Sequence, residues 1–438
     1  PYLYTVLLAY GGEVVPVNVG FRKPILHERS ARIGGKTLSF AQENLIEKKQ
    51  KNINCLYAKP GSIPPRFYRL CDYYGMEVRE VTELPPLTVP ERPIDVTEVD
   101  AKAGKFVITN LFDYTDLQEV DIRWAVSNQS GVQEEGIFSV ACNPGESIEI
   151  TLPYTLPELS YEEFFLDFDC ITKRSKPWGK AGDLICFQQF ALPVEQTEPE
   201  SMPANQMPEI TVTEKESVLE IRGEEFCYAF DQAKGQLSGM EYNGVDVLAG
   251  PSHFNLSGES LQEKLQGVRV LNMAPTHTEI MTSYELKTES GKIVATCSVF
   301  WAFFGNGEVS ISVSGHVEEL LFPSAILSFR FPLPKAHRYL RYFGEDFKNR
   351  IGVYNEDFSW GSVFHRNTRF ICCSDHEGWG LFAKGLPHFD CVFSTETGLD
   401  IYMMRSMQGT DFCHAFTLRP CMTESLDLIR DARVLPQI

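Results

Sequence analysis

The sequence has few basic residues and no long apolar run. Its 438 residues include 40 lysines and arginines against 59 acidic residues, for a net charge of -19. Such a chain repels nucleic-acid phosphates and anionic membrane surfaces, so we predict neither nucleic acid nor membrane as a partner. No apolar run approaches the roughly 20 residues of a membrane span, and no signal peptide is visible. Because the chain begins with Pro1 and not with methionine, we expect the gene to start upstream of it.

The sequence also has no C-x-x-C pair among its 12 cysteines. The one adjacent pair is Cys372 and Cys373, and neighbouring residues in a strand point to opposite faces of the sheet. This pattern argues against a zinc knuckle. It favours buried thiols in a reducing cytoplasm, which is the location we expect. A disulfide-bonded secreted protein stays the alternative.

Hydrophobic residues make up 43% of the sequence and aromatic residues 12%, which indicates well-packed globular domains. The length allows about three domains of roughly 150 residues each. Residues 1–22 alternate in polarity around Gly11 and Gly12, which is typical of a β-hairpin. Because this segment is too short for a domain, we interpret it as the terminal strands of a preceding β-sandwich.

Residues 23–86 alternate between helix and strand patterns. The predicted elements are a helix over Phe40–Lys51 capped by Ser39, a strand over Ile53–Tyr57, a helix over Pro65–Tyr74 and a strand over Met76–Val81. Barrels built from such units need eight strands, but the proline-rich LPPLTVPERP ends the pattern after two. We predict a partial α/β barrel remnant. One helix should pack against the following sandwich, and the other against a partner chain or missing barrel residues.

From residue 87 the patterns indicate a mainly β protein. Residues 87–195 have short alternating strands and predict an immunoglobulin-like β-sandwich, in which Ile122, Trp124 and Val126 face one side of a strand. Residues 196–209 are acidic and proline-rich, which predicts a linker. Residues 210–424 continue as strands long enough for a large antiparallel two-sheet domain. Residues 425–438 form a C-terminal tail or a short amphipathic helix.

Three segments carry a resemblance to a known family. They are NLIEKKQKNINCLYAKPGSIPPRFYRLCDYYGMEV, KPWGKAGDLICFQQFALP and FCYAFDQAKGQLSGMEYNGVDVLAGP. In this order they resemble the early barrel, the end of the fourth domain and the start of the fifth, supersandwich domain of the lac-type bacterial β-galactosidases, in glycoside hydrolase family 2. Each motif alone is weak, and their common order along the chain is specific.

The resemblance implies an enzyme that hydrolyses terminal β-galactosides with retention in carbohydrate catabolism, provided that the full polypeptide has the barrel. Retaining glycosidases use two carboxyl groups about 5 Å apart. The family's two catalytic glutamates lie late in the barrel, whereas this sequence leaves the barrel pattern at Leu87, so no catalytic residue is assigned. The alternative is a catalytically silent sugar-binding or assembly subunit that has lost the barrel. Both interpretations stay open at this stage.

Few residues are candidates for a site. Glu83 follows the second barrel strand, near the place of a family metal ligand, and magnesium is expected only if the complete family site exists. Trp360 and Trp379 are candidates for stacking on a sugar ring, although tryptophans in sandwiches more often lie in the core. The acidic run SDHEGWG predicts a polar hairpin turn, and His365 and His414 predict hydrogen-bonded sheet histidines. By resemblance we expect a carbohydrate ligand and a homo-oligomer, or an association with the missing barrel.

Overall fold

The computed structural model describes residues 3–20, 30–33, 42–83, 92–197, 201–258, 260–318, 326–405, 410–425 and 435–437. Strands account for 60% of the chain and helices for 7%, which confirms the mainly β class. The chain divides into two compact units, residues 1–128 with 132–195 and residues 129–131 with 196–438. Within the described ranges, no helix is long and apolar enough to cross a membrane.

The chain opens with an antiparallel hairpin of β1 (Leu3–Tyr10) and β2 (Glu13–Gly20). Gly11 and Gly12 form its turn with φ of 60° and 87°, the left-handed conformation that a tight hairpin turn requires and that glycine adopts without strain. One face of the hairpin is apolar. Its side chains, each at least 38% exposed, are Tyr4, Val6, Leu8, Val15 and Val17.

A small α/β layer follows. Its elements are β3 (Ser30–Ile33), α1 (Gln42–Gln50), β4 (Cys55–Ala58), α2 (Pro65–Tyr74) and β5 (Glu77–Glu80). The strands form one parallel sheet in the order β3-β4-β5. The prediction of only two parallel strands is therefore wrong, because β3, with the residues SARI, has a single β-branched side chain and gives a weak strand signal. Among the described residues these three strands are the whole parallel sheet, far from the eight of a closed barrel.

Local hydrogen bonds set the ends of these elements. Helix α2 begins and ends where its pattern predicts, and Gly75, at φ 65°, donates its N–H to the carbonyl of Asp72. Strand β4 begins two residues later than predicted because the N–H of Asn52 and the N–H of Ile53 still bond back to α1. The apolar faces of both helices meet in one core. Its members include Leu45, Phe67, Cys71 and Tyr74, and Trp178 of the sandwich packs against it.

The remainder of the first unit is a β-sandwich. Its strands are β6 (Ile94–Asp100), β7 (Lys105–Asn110), β8 (Val120–Asn128), β9 (Gly131–Phe138), β10 (Ser147–Thr151), β11 (Leu159–Ser160), β12 (Phe165–Thr172) and β13 (Leu184–Ala191), and β14 (Glu195–Gln196) follows at the boundary. A three-stranded sheet, β10-β7-β6, faces a four-stranded sheet, β13-β12-β8-β9, which is an immunoglobulin-like count of seven. Ile122, Trp124 and Val126 are all buried in the core, as their alternation predicts.

In the described residues, the second unit contains two large antiparallel sheets and one parallel pair of short strands near its ends. Its strands are β15 (Ser201–Pro203), β16 (Thr211–Lys215), β17 (Val218–Arg222), β18 (Phe226–Asp231), β19 (Gln236–Tyr242), β20 (Val245–Asp246), β21 (His253–Leu256), β22 (Leu261–Met273), β23 (His277–Thr288), β24 (Ile293–Phe304), β25 (Val309–Val317), β26 (Ile326–Phe331), β27 (Tyr339–Glu345), β28 (Ile351–Asp357), β29 (Ser362–Ser374), β30 (Trp379–Ser394), β31 (Gly398–Arg405), β32 (Thr410–Met422) and β33 (Leu435–Gln437).

Strands β16 to β20 form a five-stranded sheet, and a twelve-stranded sheet contains β21 to β32. Their apolar faces share one core, in which the rings of Phe230 and Trp301 lie 5.5 Å apart. The predicted domain limits at residues 22, 86, 195, 209 and 424 stay predictions. The segment predicted as a linker contains the short strand β15, and it buries Ala204 and Met207. Most of the predicted C-terminal helix or tail lies outside the described residues.

All twelve cysteines lie in the described part of the chain, and none of them forms a disulfide. Ten are buried, in agreement with the prediction of buried thiols. Cys373 lies in the main core of the second unit, and burial raises the pKa of its thiol well above the usual value. Cys372 points to the other face of β29, where its Sγ lies 3.8 Å from the Sγ of Cys421.

Candidate functional site

The carboxyl edge of the parallel sheet is where barrel enzymes place their catalytic groups. Glu80 ends β5 at this edge, and both of its oxygens accept hydrogen bonds, Oε1 from the Tyr68 hydroxyl and Oε2 from the Gly61 N–H at 3.3 Å. The hydrogen bond to Glu80 raises the pKa of Tyr68. Glu80 therefore anchors the loop before α2. This arrangement gives Glu80 a structural role at the edge.

Glu83, the predicted metal ligand, is exposed beyond the end of β5. Magnesium requires near-octahedral coordination by several oxygen ligands. In the described part of the chain, no group of three or more His, Cys, Asp or Glu side chains could hold a metal ion. The described residues around Glu83 therefore do not provide a ligand set for magnesium, and a metal at Glu83 stays a prediction.

The two candidate tryptophans lie far apart. Trp360 precedes β29 in an open turn and is 83% exposed, whereas Trp379 begins β30 opposite the far end of β29. The 13 residues of β29 separate them by roughly 40 Å of strand, so they cannot contact one sugar. The ring of Trp379 packs against the ring of Tyr242, with their centroids 5.9 Å apart, which indicates a structural role. Trp360 alone presents an open ring, and a sugar contact there stays a prediction.

The run SDHEGWG forms the predicted hairpin turn between β29 and β30. Oδ1 of Asp375 accepts hydrogen bonds from the N–H of Glu377 at 2.9 Å and from the N–H of Trp379 at 3.0 Å. His376 points to solvent, 3.8 Å from the carboxylate of Glu377. The cluster of Asp375, His376 and Glu377 therefore shapes a turn and forms no catalytic group.

The prediction that His365 is hydrogen-bonded is wrong for one of its two ring nitrogens, Nε2. Its side chain is buried, with the ring 4.1 Å from the ring of Tyr342, and its Nε2 has no hydrogen-bond partner within the described ranges. Burial lowers the pKa of His365 to about 4, so the ring is neutral at pH 7. Burial also lowers the pKa of His414. Both are residues of the sheet, and neither is placed as a catalytic base.

A cavity of about 710 Å³ in the first unit combines aromatic and polar groups. It lies between the helices of the α/β layer and the loops of the sandwich. The aromatic residues that line it are Tyr73, Phe112, Tyr114 and Trp178. The charged and amide residues that line it include Lys49, Asn52, Asn54, Glu119, Lys176 and Asp183.

A buried chain of hydrogen bonds forms one wall of this cavity. The ammonium group of Lys49, whose residue is only 8% exposed, donates to Oδ1 of Asn54 and to the carbonyl of Gly75 at 3.0 Å. Nδ2 of Asn54 donates in turn to Oδ2 of Asp113, at 2.6 Å. Asp113 belongs to the sandwich, so this series of hydrogen bonds connects the α/β layer to the sandwich.

The loop that carries Trp178 closes another side of the cavity. The carbonyl of Trp178 accepts a hydrogen bond from Nε2 of Gln50 at 3.0 Å. The centroid of the Trp178 ring lies 5.3 Å from Nζ of Lys49. Lys176 pairs with Glu119 at 3.0 Å and lies 6.0 Å from the same ring. Helix α1 thus packs against the sandwich, as was predicted for one of the two helices.

The cavity opens at the end of the sheet opposite to Glu80. Asn52 and Asn54 immediately precede β4, so they lie at the amino ends of the parallel strands. Sequence reasoning missed this site because its residues come from four segments far apart in the chain, near residues 49–54, 73, 112–120 and 172–185. The only local signal is KPWG, a tryptophan in a proline-containing turn.

The sandwich matches a known domain family. Residues 106–193 match the family described as β-galactosidase, domain 4. Over part of its length the chain is similar to the lac-type β-galactosidases. It is 26% identical over 333 residues to the β-galactosidase of Priestia megaterium, and the match covers 68% of this chain and 32% of that protein. It is 22% identical over 259 residues to the β-galactosidase of Actinobacillus pleuropneumoniae, which covers 55% of this chain and 26% of that protein.

The chain thus spans about a third or less of the length of the β-galactosidases that it matches. Among solved structures, an α-N-acetylgalactosaminidase from Bifidobacterium bifidum covers 47% of this chain and 36% of its own, at 10% identity and a TM-score of 0.29. The galactose 1-epimerase from Lactobacillus acidophilus covers 48% of this chain and 98% of its own, at 9% identity and a TM-score of 0.28. At such scores these likenesses carry no argument about function.

Proposed function

We propose that this β-galactosidase-like chain is a carbohydrate-binding and assembly component that does not hydrolyse β-galactosides by itself. One observation carries the proposal. At the carboxyl edge of the parallel sheet, Glu80 is held by Tyr68 and Gly61, and Glu83 points into solvent. Hydrolysis with retention needs an acid/base and a nucleophile about 5 Å apart across a bound sugar. Neither carboxylate is arranged for such work.

A second candidate function is hydrolysis of terminal β-galactosides in an assembly that contains a complete barrel. Its support is the similarity over 333 residues to a protein described as a β-galactosidase. In that case the two carboxylates would come from residues outside those described here. A homo-oligomer, or an association with a barrel-bearing chain, would then cover the edges of the three-stranded sheet that have no pairing strand among the described residues. A cytoplasmic location belongs to the same proposal.

The test is an assay of the purified 438-residue chain on an aryl β-galactoside. The chain is produced in a host that lacks its own β-galactosidase, and mass spectrometry checks it against 49.6 kDa. We expect no turnover. Ordinary enzyme rates of roughly 1–1000 per second would refute the proposal. A natural polypeptide much heavier than 49.6 kDa that hydrolyses the substrate would instead support the second candidate.

A further inference from the structure

We propose that the cavity beside Trp178, at the amino edge of the parallel sheet, is a binding site for a small neutral sugar. The proposal deepens the carbohydrate-binding part of the proposed function and rests on it. It concerns the opposite edge of the sheet from Glu80, so this sugar would not occupy the position where barrel enzymes carry out their chemistry.

The size of the cavity fits a ligand of one or two sugar rings. Its volume of about 710 Å³ lies within the range of roughly 300–1,000 Å³ that is typical of small-molecule sites. The walls are held by contacts that span the α/β layer and the sandwich, including the 2.6 Å hydrogen bond from Asn54 to Asp113. A preformed wall limits the ordering that a ligand must impose when it binds.

Exposed aromatic rings favour a sugar over a purely polar ligand. Tyr73 is 57% exposed and Tyr114 is 45% exposed, although both line a concave surface. An aromatic ring that carries a hydroxyl can pack against apolar C–H groups while it keeps a polar end in water. A pyranose presents such C–H groups on one face and hydroxyls around its rim. Tyr73, at the end of α2, is therefore the stacking residue that we assign.

The charges in the cavity favour a neutral ligand. The ammonium of Lys49 already donates to Asn54 and Gly75, and Lys176 is paired with Glu119. An anionic ligand would have to displace these partners. Nδ2 of Asn52, by contrast, is buried and has no hydrogen-bond partner among the residues described. A ligand hydroxyl that reaches this amide would satisfy a donor that is costly to leave unpaired.

The experiment titrates the full chain with methyl β-galactoside and methyl β-glucoside, followed by saturation-transfer NMR and by tryptophan fluorescence. We expect dissociation constants in the millimolar range. Tyr73→Ala should weaken binding about tenfold, which is the effect of losing one stacked ring. The matched control is Tyr161→Ala, which removes a 46% exposed tyrosine that does not line the cavity and should leave binding unchanged.

Circular dichroism and the unfolding midpoint verify that both variants fold. The proposal would be overturned if neither glycoside binds at concentrations up to about 100 mM. It would also be overturned by binding that Tyr73→Ala leaves intact, including binding that is lost instead in Trp360→Ala. These outcomes are independent of the hydrolysis assay. That assay measures turnover, whereas the titration measures whether sugar binds in this cavity.

Discussion

Trp124 makes the packing of the immunoglobulin-like sandwich testable with one substitution. The residue lies in β8, is 6% exposed, and sits opposite Phe168 of β12 in the register of the sheet. Its ring centroid lies 6.2 Å from that of Tyr154. Truncation to alanine removes roughly 150–200 Å² of buried apolar surface, which at about 25 cal/mol per Å² corresponds to about 4–5 kcal/mol. Large aromatic truncations typically cost about 3–5 kcal/mol.

Chemical denaturation of Trp124→Ala should therefore show a loss of about 3–5 kcal/mol in the free energy of unfolding of the first unit. The matched control is Trp360→Ala, the same substitution at an 83% exposed position, which should change stability by less than about 0.5 kcal/mol. A loss below about 1 kcal/mol for Trp124→Ala would place the ring outside the core. The proposed register of β8 would then be wrong.

Gly136 of β9 provides a second check on the same contact. A Cβ added at this glycine would lie 2.7 Å from Nε1 of Trp124, which is too close unless the indole moves. Gly136→Ala should therefore destabilise the native sandwich but cost much less when Trp124 is already alanine. Costs that simply add in the double variant would show that the two residues do not touch.

Two further predictions concern buried titratable groups of the second unit. Burial lowers the pKa of His365 from 6.5 to about 4, so the unfolded state binds more protons between these values. The contribution of His365 to stability is complete above pH 6.5 and falls by roughly 3 kcal/mol as the pH drops toward 4. Denaturation at a series of pH values should show that His365→Gln flattens this dependence, and an unchanged slope would contradict the assignment. Lys384→Met should cost about 3–5 kcal/mol, because it leaves the buried carboxylate of Glu308, now 2.9 Å from the ammonium, without its charge partner. Adding Glu308→Leu should restore most of that loss in the same assay, and no restoration would show that the ion pair is not the cause.

Local patterns predicted the elements that depend on neighbours in sequence. The spacing of Phe67, Cys71 and Tyr74, followed by Gly75, predicts α2 at its observed limits because those residues form one helix face and its end. The alternation around Trp124 predicts the buried face of β8 for the same reason. Strand β3 escaped prediction because its residues, SARI, include only one β-branched side chain and give a weak strand signal.

The candidate site could not be predicted in the same way. The cavity brings together Asn54, Tyr73, Tyr114 and Trp178, which approach one another only when the α/β layer packs on the sandwich. Nothing in the sequence around His365 shows that its ring will be buried and neutral, since burial depends on how β29 lies in the twelve-stranded sheet. Composition and motifs thus indicated the family resemblance, whereas the cavity required the packed structure.

Hydrogen exchange in the β1–β2 hairpin can show whether the chain has assembled with a partner. A two-stranded hairpin is marginally stable in water, and its apolar face, with Tyr4 and Leu8 more than half exposed, gains stability only when another layer covers it. The amides of its ladder, such as those around the Val6 and Val17 pair, should then exchange with deuterium quickly in the uncovered chain and slowly once a covering layer binds. The exchange rate of these hairpin amides would therefore report the fraction of chains whose hairpin is covered by another layer, without an engineered probe.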